Sequence, residues 1–326
     1  MLSILVWIVA SLVVVTTLLP FLNSVRWWVR MWDFPRLHIA AVAFVVLLLA
    51  ISPISIPFKS VLITIVSAAL GYQVVHIFPY TKWSPTEVSL TEAPSVAHEV
   101  SLLSVNVLME NERHDDLLKL LEREDPDVLL LMETDAIWAD ALEPYLARYG
   151  TVRTHITDDH YGLIFATRLK ALSAELVWLS RDDTPAIKAL LCAPNNTKFN
   201  FIGLHPRPPV PGNDTKTRDE QIREAALMTS SAERPTVCMG DFNDVAWSST
   251  TKRFKHYADF REPRVGRGML SSFHAGYPWM RLPIDQLFVT QDIGLTSFAR
   301  LENFGSDHFP IHATVFFPTR CVLSRA

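Results

Sequence analysis

The first 79 residues hold only five charged side chains, Arg26, Arg30, Asp33, Arg36 and Lys59, and three long apolar stretches lie between them. Residues 2–22, 39–58 and 60–78 are uncharged. Each comes near the roughly 20 apolar residues that an α-helix needs to cross a hydrocarbon core. Buried core helices would need a surrounding shell of protein that so short a segment cannot supply. A cleaved leader fits the first stretch poorly, since it lacks a basic start and is too long, and it leaves the other two unexplained. Trp27, Trp28 and Trp32 stand beside Arg26 and Arg30, while Tyr80 and Trp83 follow the third stretch. Aromatic and basic residues of this kind anchor helix ends at a membrane interface. Residues 1–79 are therefore expected to form three transmembrane helices in a cell (inner) membrane, with the lipid bilayer as a partner. The loop between the first two spans carries Arg26, Arg30 and Arg36, against Lys59 alone on the other side. By the positive-inside rule that loop, and with it the remainder of the chain, is expected in the cytoplasm.

Residues 80–98 contain two prolines and several Ser and Thr without an apolar period, which reads as a linker to a soluble domain at 99–326. Beyond the apolar segment the chain has 26 Lys and Arg against 33 Asp and Glu, a net of −7. That balance argues against broad, sequence-independent nucleic-acid binding, which depends on cations neutralising phosphates. Cys192, Cys238 and Cys321 lack metal-ligand spacing, and the first two sit in apolar runs as small core residues.

Leu103, Val105 and Val107 alternate with Ser104 and Asn106, the period of a half-buried strand. Residues 113–123 place leucines at helical spacing, Pro126 ends that helix, and Asp127 leads into a short apolar run typical of a buried strand. Further strands are expected at 161–167, 186–192, 199–204, 236–239, 284–289 and 311–317. Asn195 and Asn196 make a turn between the second and third of these, and 215–231 reads as a helix. Strands alternating with helices, plus a hairpin, predict an α/β sandwich with mixed sheets.

Polar residues recur where these strands begin or end: Asn106, Glu133, His205, Asp241 with Asn243, Asp285, and Asp307 with His308. Each alone has an ordinary reading as a helix cap, a turn or a surface residue. Together they are candidates to converge on one sheet edge, where layered α/β folds place their sites.

In order and approximate spacing, NVL, LMET, LHPRPP, GDFN, IDQLF and SDHFP resemble the endonuclease/exonuclease/phosphatase superfamily, the pancreatic-DNase-like fold, over residues 99–317. The resemblance implies a four-layer sandwich of two packed mixed β-sheets with outer helices, and Mg²⁺-dependent phosphoester hydrolysis, with Mn²⁺ as a substitute. It implies Glu133, Asn106 and Asp307 at the metal, the first as principal ligand. Asp241 would activate water, while Asn243 and His205 would donate to phosphoryl oxygens. His308 would sit against the phosphate, oriented by Asp285. Family members often carry His or Tyr after the Asp of the fifth motif, where this chain has Gln286. The substrate is a phosphoester, either nucleic acid or lipid-linked. The nucleic-acid reading draws on Arg207 as a substrate-binding residue and on Lys252, Arg253, Lys255, Arg261, Arg264 and Arg267; the anchor favours a membrane-proximal substrate. A catalytically silent scaffold domain is the alternative from another class, and no protein partner is inferable.

Overall fold

The computed structural model describes residues 1–22, 24–93, 99–180, 184–230 and 234–318. Cys321, the end of the linker and the last residue of the expected helix 215–231 lie outside these. The apolar segment forms α1 (Leu2–Leu18), a short α2 (Trp27–Arg30), α3 (Arg36–Ile51) and α4 (Lys59–Ile77). The helices Leu2–Phe21 and Lys59–Tyr80 are long and apolar enough to cross a membrane. A third such unit exists if the pair Trp27–Asp33 and Arg36–Ile51, bent by 70°, counts as one span. At one end of the bundle Trp7 Nε1 donates to Pro57 O at 3.1 Å, and near the other Gln73 Nε2 donates to Thr17 Oγ1 at 2.9 Å. α1 and α4 therefore run in the same direction. α3 runs against them, since Arg36 at its start donates to Gln73 near the end of α4 at 3.1 Å.

The rest of the chain builds β1 (Glu99–Asn106), α5 (His114–Glu124), β2 (Val128–Met132), α6 (Ala136–Leu146), β3 (Thr151–His155), β4 (Leu163–Thr167) and β5 (Lys170–Val177). It continues with β6 (Ala186–Cys192), β7 (Lys198–Leu204), α7 (Lys216–Ser230), β8 (Thr236–Asp241), α8 (Ser249–Tyr257), β9 (Asp285–Val289), β10 (Gly294–Arg300) and β11 (Ile311–Phe316). One sheet has the order β10-β11-β1-β2-β4-β3 and the other β5-β6-β7-β8-β9. In each, one central pair is parallel, β1 with β2 and β7 with β8, and the remaining pairs are antiparallel. Both sheets are mixed, as expected. The β6–β7 hairpin turns at Asn196, whose φ of 63° is a left-handed value that Asn tolerates better than most residues.

Side chains alternate across each central strand, and both faces are covered. Val100 and Leu102 of β1 join Leu130 and Met132 of β2, Val237 and Met239 of β8 and Leu287 of β9 in the core between the sheets. Leu103 and Val105 point the other way, onto α5 and α6, and Cys238 and Phe288 pack beneath α7 and α8. The alternation in β1 therefore does not mark a wet face. Ser104 and Asn106 are buried, because the polar side of the strand looks toward the second sheet.

Residues 81–93 contain no helix and only an isolated bridge at Leu90, but they lie along the domain rather than away from it. Tyr80 Oη donates to Ala246 O at 2.7 Å, Val88 enters the inter-sheet core, and Glu87 accepts from Lys255 Nζ at 2.7 Å. The loop between α1 and α3 is fastened to the same domain. Trp247 Nε1 donates to Asp33 O at 2.7 Å, and Arg30 donates to Ser249 Oγ at 2.8 Å. Asp33 in turn holds Arg30 at 3.2 Å and Arg36 at 2.6 Å, with all three side chains buried.

Candidate active site

The sheet topology explains why the polar residues meet. Parallel strands β1 and β2 end at one edge, and β8 delivers its C-terminus to the same edge from the facing sheet. The antiparallel neighbours start where these stop: Asp285, first in β9, is in register with Asp241, last in β8, and Ile311 of β11 is opposite Ser104 of β1. The period of two then puts Asn106, Asp241 and Asp285 on the inner face, in line with Leu102, Met239 and Leu287. Gly240 is required just before Asp241 because its φ is 139° and a Cβ would stand 2.1 Å from Leu204 O of β7. The crowding is with the neighbouring strand rather than with a bound phosphate.

Asn106 Nδ2 donates to Glu133 Oε1 at 2.7 Å and to Asp241 Oδ2 at 3.2 Å, while its Oδ1 accepts from Leu108 N at 3.1 Å. It braces the two carboxylates across the gap between the sheets. Glu133 leaves β2 with φ 61°, a strained value for this residue type that turns its side chain into the site. Asp241 Oδ1 accepts from Asn243 N at 2.8 Å, and Asn243 Nδ2 donates to Pro206 O at 2.9 Å, tying the motif after β8 to the loop after β7. Asp285 Oδ2 lies 2.7 Å from His308 Nδ1, and His308 Nε2 lies 3.6 Å from Asp241 Oδ2. His205 Nε2 stands 3.9 Å from both Glu133 Oε1 and Asp241 Oδ2. Two serines finish the frame: Ser272 Oγ accepts from Asp285 N at 3.0 Å, and Ser306 Oγ accepts from His308 N at 3.0 Å.

The charges follow from this burial. Burial alone would lower His308, but the carboxylates of Asp285 and Asp241 override it and raise the imidazole to about 10. Burial likewise would raise Asp285, yet the adjoining His308 imidazolium holds it below its usual range. Burial, with the charge of Asp285 adding to it, pushes the Asp241 carboxyl up to about 7. His205 is pushed down to about 3 by burial and by the charge of His308, so it stands neutral beside a cationic partner. Burial also raises Glu133, against the hydrogen bond from Asn106.

Asp241, Asp285 and His308 bring ligand atoms within 4.8 Å of one another. Asp285 engages Nδ1 of His308, so only Nε2 of that ring is left to face Asp241. A hard divalent ion is better matched by oxygens beside it. Glu133 and Asp307 supply them: Asp307 Oδ1 is buried with no hydrogen-bond partner, and the charge of Asp307 adds to the rise of Glu133. The residues present fit a divalent cation.

Every site residue expected from the sequence thus lies on this edge except Arg207, whose guanidinium is stacked 4.1 Å over the Tyr161 ring at its margin. Gln286 faces the opposite side of β9, donating to Asp244 O and Pro283 O, so the departure from the family pattern does not touch the site. Asp244 is buried and accepts from Ser248 Oγ, which itself caps α8. The basic stretch 252–267 is not a groove: Lys255 pairs with Glu87, and Arg264 is buried with Glu262 at 3.5 Å. Sequence reasoning missed the walls of the cavity above the site, of about 860 Å³. Met31, Phe34, Pro35 and His38 from the helical segment form one side, and Phe273, Trp279, Met280 and Leu282 another. The aromatic residues near 27–34 are the visible signal, and from sequence alone they indicate only a membrane interface.

The sequence model described as Endonuclease/Exonuclease/phosphatase family matches residues 103–308. The chain belongs to the endonuclease/exonuclease/phosphatase family. Proteins of the family generally use a divalent metal, which agrees with the donor set described above. No curated protein matches the chain. Among solved structures, D. rerio TDP2 complexed with a single-strand DNA product is 18% identical, with a TM-score of 0.57 over 67% of this chain and 98% of that one. The human Nocturnin catalytic domain with bound sulfate is 16% identical, with a TM-score of 0.53 over 69% and 96%. The Bacteroides thetaiotaomicron mannosyl-6-phosphatase is 16% identical, with a TM-score of 0.52 over 67% and 100%. At these identities the likeness establishes the shared fold, and it leaves the 1–79 segment outside the family match.

Proposed function

We propose that this chain is a membrane-anchored, divalent-metal-dependent phosphoester hydrolase acting by in-line attack of water on phosphorus. The observation that carries the reading is the buried Asp285–His308 pair, 2.7 Å apart, beside Asp241 and the Asn106–Glu133 brace. A cation held by Glu133 and Asp307, Mg²⁺ by preference, would supply charge stabilisation to the phosphoryl oxygens. His308, kept cationic and aimed by Asp285, and neutral His205 donate to the same oxygens as charge develops on them. Asp241, with its carboxyl near neutrality, takes a proton from the attacking water. An O–P bond to water forms as the P–O ester bond breaks; the leaving oxygen takes a proton from solvent, and the proton that Asp241 took neutralises the hydroxide left behind, restoring the carboxylate. Asn243 and Asn106 fix the carboxylates so that little reorganisation accompanies the step. A silent scaffold would have no use for so many desolvated ionisable groups on one edge.

Three crossings are supported by the arrangement of the bundle. The loop before α3 and the chain after α4 both grip the catalytic domain, so α3 and α4 would cross and return, and α1 would make the third span. By the positive-inside rule, Arg26, Arg30 and Arg36 against Lys59 favour a cytoplasmic domain. The test is turnover of bis(p-nitrophenyl) phosphate by the full chain in lipid nanodiscs. Hydrolysis is expected with Mg²⁺ or Mn²⁺ and not after chelation; activity that survives exhaustive chelation would overturn the metal role.

A further inference from the structure

We propose that the substrate is a phosphoester amphiphile, whose phosphate meets the site described above while its apolar tail lies between the 31–38 segment and the 273–282 loop. The inference rests on the phosphoester-hydrolase reading and names its substrate class. A phosphate and its immediate substituents need only a fraction of a cavity of about 860 Å³. What fills the remainder is set by its walls. The catalytic polar groups, Glu133, Asp241, Asp307 and His308, line its floor, and the exposed Asp159 and His160 border it as well. Above them the two facing walls are Met31, Phe34 and Pro35 on one side and Phe273, Met280 and Leu282 on the other.

The position of the first wall decides which apolar group belongs there. Its residues lie between α1 and α3, and His38, in the first turn of α3, also borders the cavity. If α3 spans, as proposed above, this wall stands where the span meets the interface, and a tail between the two walls would lie beside the hydrocarbon. His38 Nε2 is hydrogen-bonded to Trp279 O, joining the two walls at this point. Trp279 is 65% exposed and Met280 43% exposed at the rim, as amphipathic and apolar groups are where protein meets headgroups.

The charge of the cavity points away from nucleic acid. Among the described residues lining it there is no Lys or Arg, whereas there are four carboxylates. Binding a polyanion needs several cations along its backbone. One phosphate can be neutralised by the metal and His308, and for further phosphates in a strand Arg207, over the Tyr161 ring at the margin, falls short of the several cations needed.

The experiment uses the full chain in nanodiscs with Mg²⁺ and a series of p-nitrophenyl alkyl phosphodiesters, methyl to octyl, each kept below its micellar concentration. Release of p-nitrophenolate should show kcat/KM rising about three- to fourfold per added methylene until the groove is filled. Met31→Asp and Met280→Asp alter exposed side chains, and each should cut the octyl-to-methyl ratio of kcat/KM by about tenfold or more while thermal unfolding verifies folding. A flat series with every member hydrolysed would overturn the tail assignment and leave the hydrolase reading standing. No hydrolysis of any member with any divalent metal would overturn both. Retained chain-length dependence in both folded variants, or a single-stranded oligonucleotide cleaved faster than the octyl ester, would equally sink the proposal.

Discussion

Replacing Asp285 by Asn tests whether its carboxylate serves His308 or a metal. The carboxylate and Nδ1 are 2.7 Å apart and both side chains are buried, so no water can take over the contact. Asn can still accept from an N–H at Nδ1, so the shape of the site and its ion-binding oxygens remain. What is lost is the counter-charge, and with it the stabilisation of an imidazolium against the phosphate. In the Ser-His-Asp arrangement the equivalent change costs about 10⁴ in kcat. Here Asp241 remains 3.6 Å from Nε2 as a second counter-charge. A bound metal would carry part of the charge stabilisation as well, so a loss of about 10²-fold in kcat is expected. The assay is a Mg²⁺ titration of variant and parent at saturating substrate, with thermal unfolding as the control for folding. The variant should reach a kcat plateau near a hundredth of the parent's at a similar Mg²⁺ midpoint. Full activity at saturating Mg²⁺ with a displaced midpoint would make Asp285 a metal-site residue and refute the pairing argument.

Glu133→Gln should do the opposite, raising the Mg²⁺ concentration for half-maximal activity by about tenfold or more, because a neutral amide is a weaker ligand for a hard ion; an unchanged midpoint removes Glu133 from the metal. Trp247→Phe deletes the donor to Asp33 O and leaves a buried carbonyl unpaired, costing about 1–3 kcal/mol, which thermal unfolding of the full chain should report; equal stability would mean the anchor is not fastened there. The His312 imidazole is lowered by burial, so the unfolded chain binds its proton more readily and stability should fall as pH drops below about 6.5. His312→Gln should reduce that fall in denaturant titrations, and an identical pH dependence would exonerate the group. A reporter fused after Ala326 should be active only in its cytoplasmic form, and a periplasmic signal would reverse the orientation.

The site was more legible in the sequence than the fold around it. Asn106, Asp241 and Asp285 could be found because strand period and position at a strand end place them together, two properties a sequence carries directly. Four elements left no comparable trace. β3 and β10 are sheet edges with half-wet faces and no clean alternation, and β5 is composed like a helix, with Lys, Ala, Leu and Glu. α6 carries Pro144 in its interior, although Asp135 caps its start by accepting from Trp138 N. Tyr80, Glu87 and Val88 were read as part of an unattached linker because their partners, Ala246, Lys255 and the inter-sheet core, are distant in sequence. The same blindness hid Met31 and Phe34 from the site. A one-dimensional pattern shows where a span ends, but not what the loop beyond it rests on.

The strap formed by residues 81–93, with the Trp247–Asp33 contact beside its start at Tyr80, has a consequence for reach. A loose chain of 18 residues would let a domain wander about 25 Å from its tether. If the helices span as proposed, a domain fastened in this way is held at one height and one tilt above the start of α3. It works as a depth gauge: phosphorus at the level of Glu133 and His308 is in range, and phosphorus well above or below is not. For the amphiphilic substrate proposed above, encounters would then be governed by lateral movement within one leaflet rather than by diffusion through solution, and a change in bilayer thickness would move substrate and site out of register without altering a single residue of either wall.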